Sequence, residues 1–280
     1  MKVKQKRQGV LPRGNSESIM RLLAIGDVCG PCGCEEIKKR LPALKREKNI
    51  DLTVINCENS AEGNGVTKDS AESLFAYGAD VLTGGNHSFR RKQVYSYLDE
   101  NGFILRPHNI TDAAAGKGYC LVDLGYVQAA VINLAGRVFI ERQNASCPFC
   151  AADELIDRAK KDGAGIIAVD FHAEATSEKR ALGIYLDGRV SAVFGTHTHV
   201  QTADNAILKN GTGYITDLGM TGAADSVLGV ESEIIINRLK NGDTAKFKQA
   251  DGRAMLNGCI FDINTKTGLA EKTERVYITE

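Results

Sequence analysis

The sequence predicts an α/β fold, and three observations carry that expectation. Short apolar runs of strand length alternate with amphipathic stretches of helix length along most of the chain. The 280 residues are 43% hydrophobic and 25% charged, a globular balance with enough length to bury a sizeable core. No stretch approaches the ~18 consecutive apolar residues of a membrane-spanning helix, so the apolar runs are read as core.

Taken in order, residues 22–25, 52–55, 81–83, 127–134, 166–171 and 190–194 read as strands of a largely buried sheet. Residues 35–48, 70–77, 91–101 and 152–162 read as helices, each followed by glycine or a polar break. Residues 116–134 depart from the alternation, with two β-rich runs around Gly125-Tyr126 that predict a hairpin. After about Val230 the pattern turns strand-like again, and residues 262–268 carry a hairpin-turn signal between Cys259-Ile-Phe261 and Arg275-Val-Tyr-Ile278. No repeat, low-complexity block or linker divides the body, so one domain is expected over residues 20–280.

The formal net charge is zero, but it is unevenly spread. Residues 1–19 hold five basic groups against Glu17 alone, a net +4, while the remaining 261 residues hold 30 basic and 34 acidic groups. That first segment has no apolar period and reads as a disordered arm, an alternative start or an expression remnant. It lacks the apolar core of a secretory signal, so a cytoplasmic location is expected. The overall neutrality argues against a binder of bulk nucleic acid. Eight cysteines include the pairs Cys29-Gly-Pro-Cys32 and Cys147-Pro-Phe-Cys150. Their wide separation favours free thiols over a four-thiolate zinc site or a redox pair.

What ends each strand is informative. Leu22-Leu-Ala-Ile-Gly26 runs into Asp27, Thr53-Val-Ile-Asn-Cys57 into Glu58-Asn59, and Val81-Leu-Thr-Gly-Gly85 into Asn86-His87. Ile166-Ile-Ala-Val-Asp-Phe171 runs into His172, and Ala192-Val-Phe-Gly-Thr196 into His197-Thr198-His199. Ligands of open α/β sheets bind beyond the carboxyl ends of strands, and four of the five histidines fall there. Imidazole, carboxylate and amide oxygen together suit transition metals such as Mn, Fe, Co or Zn. The set exceeds the needs of one ion with an open position, so two ions are expected. Paired ions clamp the attacking and leaving oxygens of a displacement at phosphorus. In His197-Thr198-His199, alternate residues of an extended segment would send both rings to one side. Adjacent residues rarely share an ion, so Asn86 is the candidate ligand and His87 is left free to carry a proton.

These motifs, in this order, resemble the calcineurin-like metallophosphoesterases, and within them the bacterial YmdB-like phosphodiesterase family. The likeness also draws on Glu174-Ala-Thr-Ser-Glu-Lys179, on residues 195–204 and on residues 214–222, and it runs from Met20 nearly to the C-terminus. The resemblance implies a four-layer αββα sandwich with a binuclear site on one edge. By that pattern Asp27, Asn59 and His199 serve one ion, Asn86, His172 and His197 the other, and Glu58 bridges them. It further implies two divalent or trivalent transition-metal ions per chain, with Fe or Mn favoured over Zn or Co. His87 would act as general acid, and a metal-bridging hydroxide would attack phosphorus in line. The substrate class implied is a small phosphodiester, with 2′,3′-cyclic nucleotides favoured. A phosphomonoesterase or nucleotidase, and a non-enzymatic ligand sensor, are the alternatives; no membrane partner is expected, and self-association is left open.

Some positions depart from the family pattern. Gly-Asn-His continues as Ser88-Phe89-Arg90, where the family usually has Thr-Trp-Asp, so Arg90 either reorients His87 or adds a phosphate contact. Ala173 stands where glycine is usual, and Cys29, Cys32 and Cys34 crowd the first loop. A thiol near Asp27 is expected to bias metal choice or to make activity oxidation-sensitive. Arg106, His108 and Asn109 either line the pocket or cap a loop. Lys179 and Arg180 read as a solvated helix face, and Gly219, Gly222 and Gly229 as backbone requirements.

Overall fold

A computed structural model describes residues 18–112, 115–140 and 144–279. In chain order the first elements are β1 Ile19–Ile25, β2 Asp27–Val28, α1 Gly30–Glu47, β3 Leu52–Asn56, α2 Lys68–Tyr77 and β4 Val81–Thr83. They are followed by α3 Tyr95–Glu100, β5 Tyr119–Asp123, β6 Gln128–Ala135, α4 Pro148–Lys161, β7 Ile166–His172, α5 Thr176–Tyr185 and β8 Ala192–Thr196. The last are β9 Ala206–Ile207, β10 Gly213–Ile215, β11 Met220–Ala223, α6 Ser232–Asn241, β12 Ala254–Asn264 and β13 Ala270–Thr279.

The strands form two sheets rather than the single covered sheet that the alternation alone suggests. One has the order β2-β11-β12-β1-β3-β4, with β13 beside β12; the other has the order β5-β6-β7-β8-β10-β9. Strand periodicity explains the layering. Met20, Leu22 and Ala24 of β1 meet Ala129, Val131, Ala168, Ala192 and Phe194 of the second sheet in a core between the sheets. Leu23 and Ile25 point the other way, under Ile37, Leu41 and Leu44 of α1 and Leu74 of α2. On the far side Ile132, Val169, Phe171 and Val193 pack under Leu155 and Ile156 of α4 and Leu182 of α5. The result is the αββα sandwich, with helices over both outer faces.

Both hairpins read from the sequence form, β5 with β6 and β12 with β13, each antiparallel. The arm expected at residues 1–19 falls mainly outside the described residues, though Ile19 already pairs with Asn264 in β1. The helix expected at 91–101 is split into a 3₁₀ turn, Lys92–Val94, and the short α3. The strand-like region expected after about Val230 begins only at β12, because residues 232–241 form α6 instead. Its three isoleucines favour a strand, yet Glu233 in the first turn, Arg238 and Lys240 in the last, and Gly242 in the left-handed region at the end all stabilise a helix. Among the described residues no helix is long and apolar enough to cross a membrane.

Candidate metal centre

β1, β3 and β4 run parallel in one sheet, and β7 and β8 run parallel in the other. Their carboxyl ends meet along one edge of the sandwich, and Asn56 ties them together by donating to Asp170 Oδ2 at 3.2 Å and Thr196 Oγ1 at 3.3 Å. All the singled-out residues at strand ends come together at this edge.

Asp27 is fully buried. Its Oδ2 accepts the His197 backbone N–H at 3.1 Å, whereas Oδ1 has no hydrogen-bond partner and lies 3.8 Å from His199 Nε2. Glu58, also buried, accepts from Asn59 Nδ2 at Oε1 (3.1 Å) and from the His87 backbone N–H at Oε2 (2.9 Å). Its Oε1 is 3.3 Å from His172 Nε2 and 3.5 Å from His87 Nδ1. Asn86 Oδ1 lies 2.9 Å from His172 Nε2, and His197 Nδ1 is 3.1 Å from the same nitrogen. Asn59 stands between two rings, Oδ1 3.0 Å from His87 Nδ1 and Nδ2 3.2 Å from His199 Nε2.

The His197-Thr198-His199 segment is not extended as the sequence suggested. β8 stops at Thr196, and His197 and His199 have φ of 104° and 64°, in the left-handed region that costs a non-glycine residue ~1–3 kcal/mol. The rings therefore diverge, His197 toward His172 and His199 toward Asp27 and Asn59. Strain held in this way is a common mark of a working site.

Hydrogen bonds behind the rings fix their protons. Thr196 Oγ1 donates its one proton to Asp170 Oδ1 at 2.7 Å, so it accepts from His172 Nδ1 at 2.9 Å. With Nδ1 committed as a donor, Nε2 is the atom the His172 ring turns to the cluster, and its lone pair is available there whenever a cation takes the place of the proton. His199 is treated alike: Nδ1 meets the Leu228 carbonyl at 3.0 Å, leaving Nε2 toward Asp27 and Asn59.

The electrostatics are those of crowded, buried ligands. Burial pushes the Asp27 carboxyl up, offset by the imidazoles of His199 and His172. Burial also opposes the Glu58 charge, but His172 and His87 outweigh it and hold that carboxyl well below its usual range. Burial and the neighbouring His172 push His197 down to about 3, keeping it neutral. Burial works against protonated His172 and His199, yet Glu58 for the first, and the Cys29 sulfur with Asp27 for the second, raise both.

These residues fit a cation. Glu58, His172 and His197 each offer one ligand atom, all within 4.8 Å of one another, and the buried Asp27 Oδ1 is unpartnered beside them. Lone pairs of Glu58 Oε1, Asn86 Oδ1 and His197 Nδ1 converge on that of His172 Nε2, an arrangement that needs a proton or a metal at its centre. Gly85 keeps the space open, since any side chain there would collide with Glu58 Oε2 and His172 Nε2. The cluster borders a cavity of about 630 Å³, which His87 and Arg90 also line.

Other residues lie elsewhere. Arg106 donates to the Pro107 and His108 carbonyls, and Asn109 bonds Ala135 and Ser146, so both brace loops away from this cavity. All eight cysteines are free, and only Cys29 reaches the site, its sulfur 3.8 Å from His199 Nδ1.

Sequence reasoning missed three supports. Asp170, pushed up to about 6 by burial, is the anchor of the Thr196 relay; its signal was a lone charge within an apolar strand. Glu174 was noted only as part of a motif, yet its Oε2 lies 3.1 Å from His197 Nε2. Lys179, read as a solvated helix face, is 1% exposed and pairs with buried Asp217 at 2.5 Å. Asp217 accepts in turn from the Thr198 and Gly219 backbone N–H groups, so the pair pins the strained histidine loop from beneath. Lys179→Met should strand the Asp217 charge and cost about 3 kcal/mol in urea unfolding. Combining it with Asp217→Asn should restore most of that loss; a single variant as stable as the parent would contradict the pairing.

A family model described as YmdB-like protein matches residues 23–276. A 2′,3′-cyclic-nucleotide 2′-phosphodiesterase from Bacillus subtilis (strain 168) is 47% identical over 261 residues, covering 93% of this chain and 98% of that one. Among solved structures, a phosphatase from Mycoplasma pneumoniae is 33% identical with a TM-score of 0.88, covering 94% of each chain. A hypothetical protein from Thermus thermophilus is 36% identical with a TM-score of 0.85, over 93% of this chain and 100% of that one.

Proposed function

Because the chain belongs to the YmdB-like family, we propose that it is a metal-dependent phosphodiesterase acting on small diesters, with nucleoside 2′,3′-cyclic phosphates as its substrate class. The observation that carries this reading is the convergence of Glu58, Asn86, His172 and His197 ligand atoms with the unpartnered Asp27 Oδ1, next to His87. The activity named for the Bacillus subtilis relative supports the substrate class.

On this reading Asp27, Asn59 and His199 would hold one ion, Asn86, His172 and His197 would hold the second, and Glu58 would serve both. When bound, two transition-metal ions, Fe or Mn before Zn or Co, neutralise phosphate charge and lower the pKa of the attacking water. The chain's own residues do the rest. His87 Nδ1 is engaged by Asn59 Oδ1 at 3.0 Å, which sets the ring plane and leaves Nε2 to meet the leaving oxygen. As the phosphorus–oxygen bond breaks, the Nε2 proton passes to that oxygen. Glu58 Oε1, 3.5 Å from His87 Nδ1, stabilises the charged ring before transfer. Arg90, on the cavity wall, supplies positive charge for the anionic substrate. Residues 20–280 act as one catalytic domain, and eight free thiols suit a reducing cytoplasm.

The Mycoplasma pneumoniae relative is named a phosphatase, so the ester class needs a direct comparison. Metal-loaded protein should hydrolyse bis-(4-nitrophenyl) phosphate faster than the mono-ester. Faster monoester turnover would replace this reading with a phosphomonoesterase.

A further inference from the structure

The segment 228–249 contributes six residues to the lining of the cavity, Leu228, Gly229, Val230, Lys246, Phe247 and Gln249. It leaves the body after β11, rises through α6 and returns to β12. α6 buries none of its residues. The segment is joined at its base, where Glu231 N–H bonds the Lys248 carbonyl at 3.0 Å and Ala250 N–H bonds the Gly229 carbonyl at 2.9 Å. Its second tie is Gln249. That side chain donates to the Ala61 carbonyl and accepts from the Gly63 N–H, both at 3.2 Å, bridging to the loop that follows Glu58-Asn59. Gly30, with φ of 61°, lies flat against Gln249, and any side chain there would expel it. The segment is thus a cap tied to the body at both ends beside the cavity.

The cap carries Phe247, among the described residues the one carbocyclic aromatic ring on the cavity wall, which is 57% exposed. Arg238 from α6 lies over the ring, 4.1 Å from its centroid, and is itself held by a 2.7 Å bond to the Ala245 carbonyl. The ring is therefore oriented by a cation but not covered. Lys246, next to Phe247 in the chain, and Arg90 line the same cavity and add positive charge to it, while His87 and the ligand cluster add their polar groups. An oriented aromatic surface sharing a cavity with cationic side chains suits a nucleotide: phosphate at the charge, base on the ring. Base stacking tolerates every base because each has a π-face.

We propose that Phe247 is the stacking platform for the nucleobase, so that this cap selects nucleotides over base-free phosphates with little preference among bases. The proposal rests on the phosphodiester reading above but is measurable without turnover. Metal-loaded protein is titrated calorimetrically with adenosine 3′-monophosphate and with glycerol 2-phosphate. Wild type should bind the nucleotide more tightly. Phe247→Ala should remove about tenfold of that preference, since a stacked base contributes on that order. Phe247→Trp should restore it, and cytidine 3′-monophosphate should follow adenosine 3′-monophosphate. Equal weakening of both ligands, or an unchanged preference, overturns the platform. Turnover of 2′,3′-cyclic AMP by wild type is assayed in parallel: its absence with an intact preference would defeat the enzymatic reading while the base subsite stands.

Discussion

Glu58→Gln should lower diester turnover by ~10²–10⁴, with a matching loss of bound metal. Glu58 is the buried charge with the most partners at the site: two histidines within 3.5 Å and two N–H donors. Removing one member of a buried charged set costs about 3–5 kcal/mol, and each ~1.36 kcal/mol is a factor of ten. Gln keeps the volume, yet its amide nitrogen must face either Asn59 Nδ2 or the His87 N–H, both donors. That second defect calls for Glu58→Asp as a companion, which keeps the charge while shortening the reach. Asp should retain more metal and more rate than Gln. Elemental analysis with kinetics on the same preparations decides it; unchanged turnover of metal-replete Glu58→Gln would rule out a bridging role.

His87→Ala should keep its metals and lose ~10²–10⁴ in kcat, the usual range for a positioned proton donor. The ring is 29% exposed on its side chain, faces the cavity, and takes no share in the tight cluster of Glu58, His172 and His197. The deficit should depend on the leaving group. An aryl oxide needs little protonation, so aryl diesters should suffer less than alkyl or nucleoside diesters. A uniform deficit would instead indicate a positioning role, and loss of metal would make His87 a ligand.

Much of this was legible in the sequence because strands leave a strong signal. In β6 and β7 apolar residues line both faces, as expected of strands buried on both sides, and the His172 that ends β7 stands out against its apolar run. The edge of the fold where chemistry collects was readable for the same reason. Four things were not legible in the local pattern. Pairing into two sheets is a long-range property that strand lengths do not encode, and it was the family resemblance that led to the αββα sandwich found. The α6 isoleucines carry strand propensity, and end charges with a terminal glycine decided the outcome. Lys179 looked solvated because charge normally is; only the facing Asp217, 38 residues away, makes its burial tolerable. The strained turn of His197 and His199 likewise depends on groups beneath it rather than on local spacing.

The meeting of two sheets at one edge has a thermodynamic consequence. Asp27, Glu58, Asn59 and Asn86 come from one sheet, and His172, His197 and His199 from the other. An ion held by both halves is a cross-link between them, and it binds only when they are packed face to face. Its affinity is then part of the folding free energy: at a free concentration a hundredfold above the dissociation constant, one such ion adds about 2.7 kcal/mol. Metal supply would thus set the lifetime of the fold as well as its chemistry, and a cell short of the ion would hold less of the protein, not merely a less active form of it.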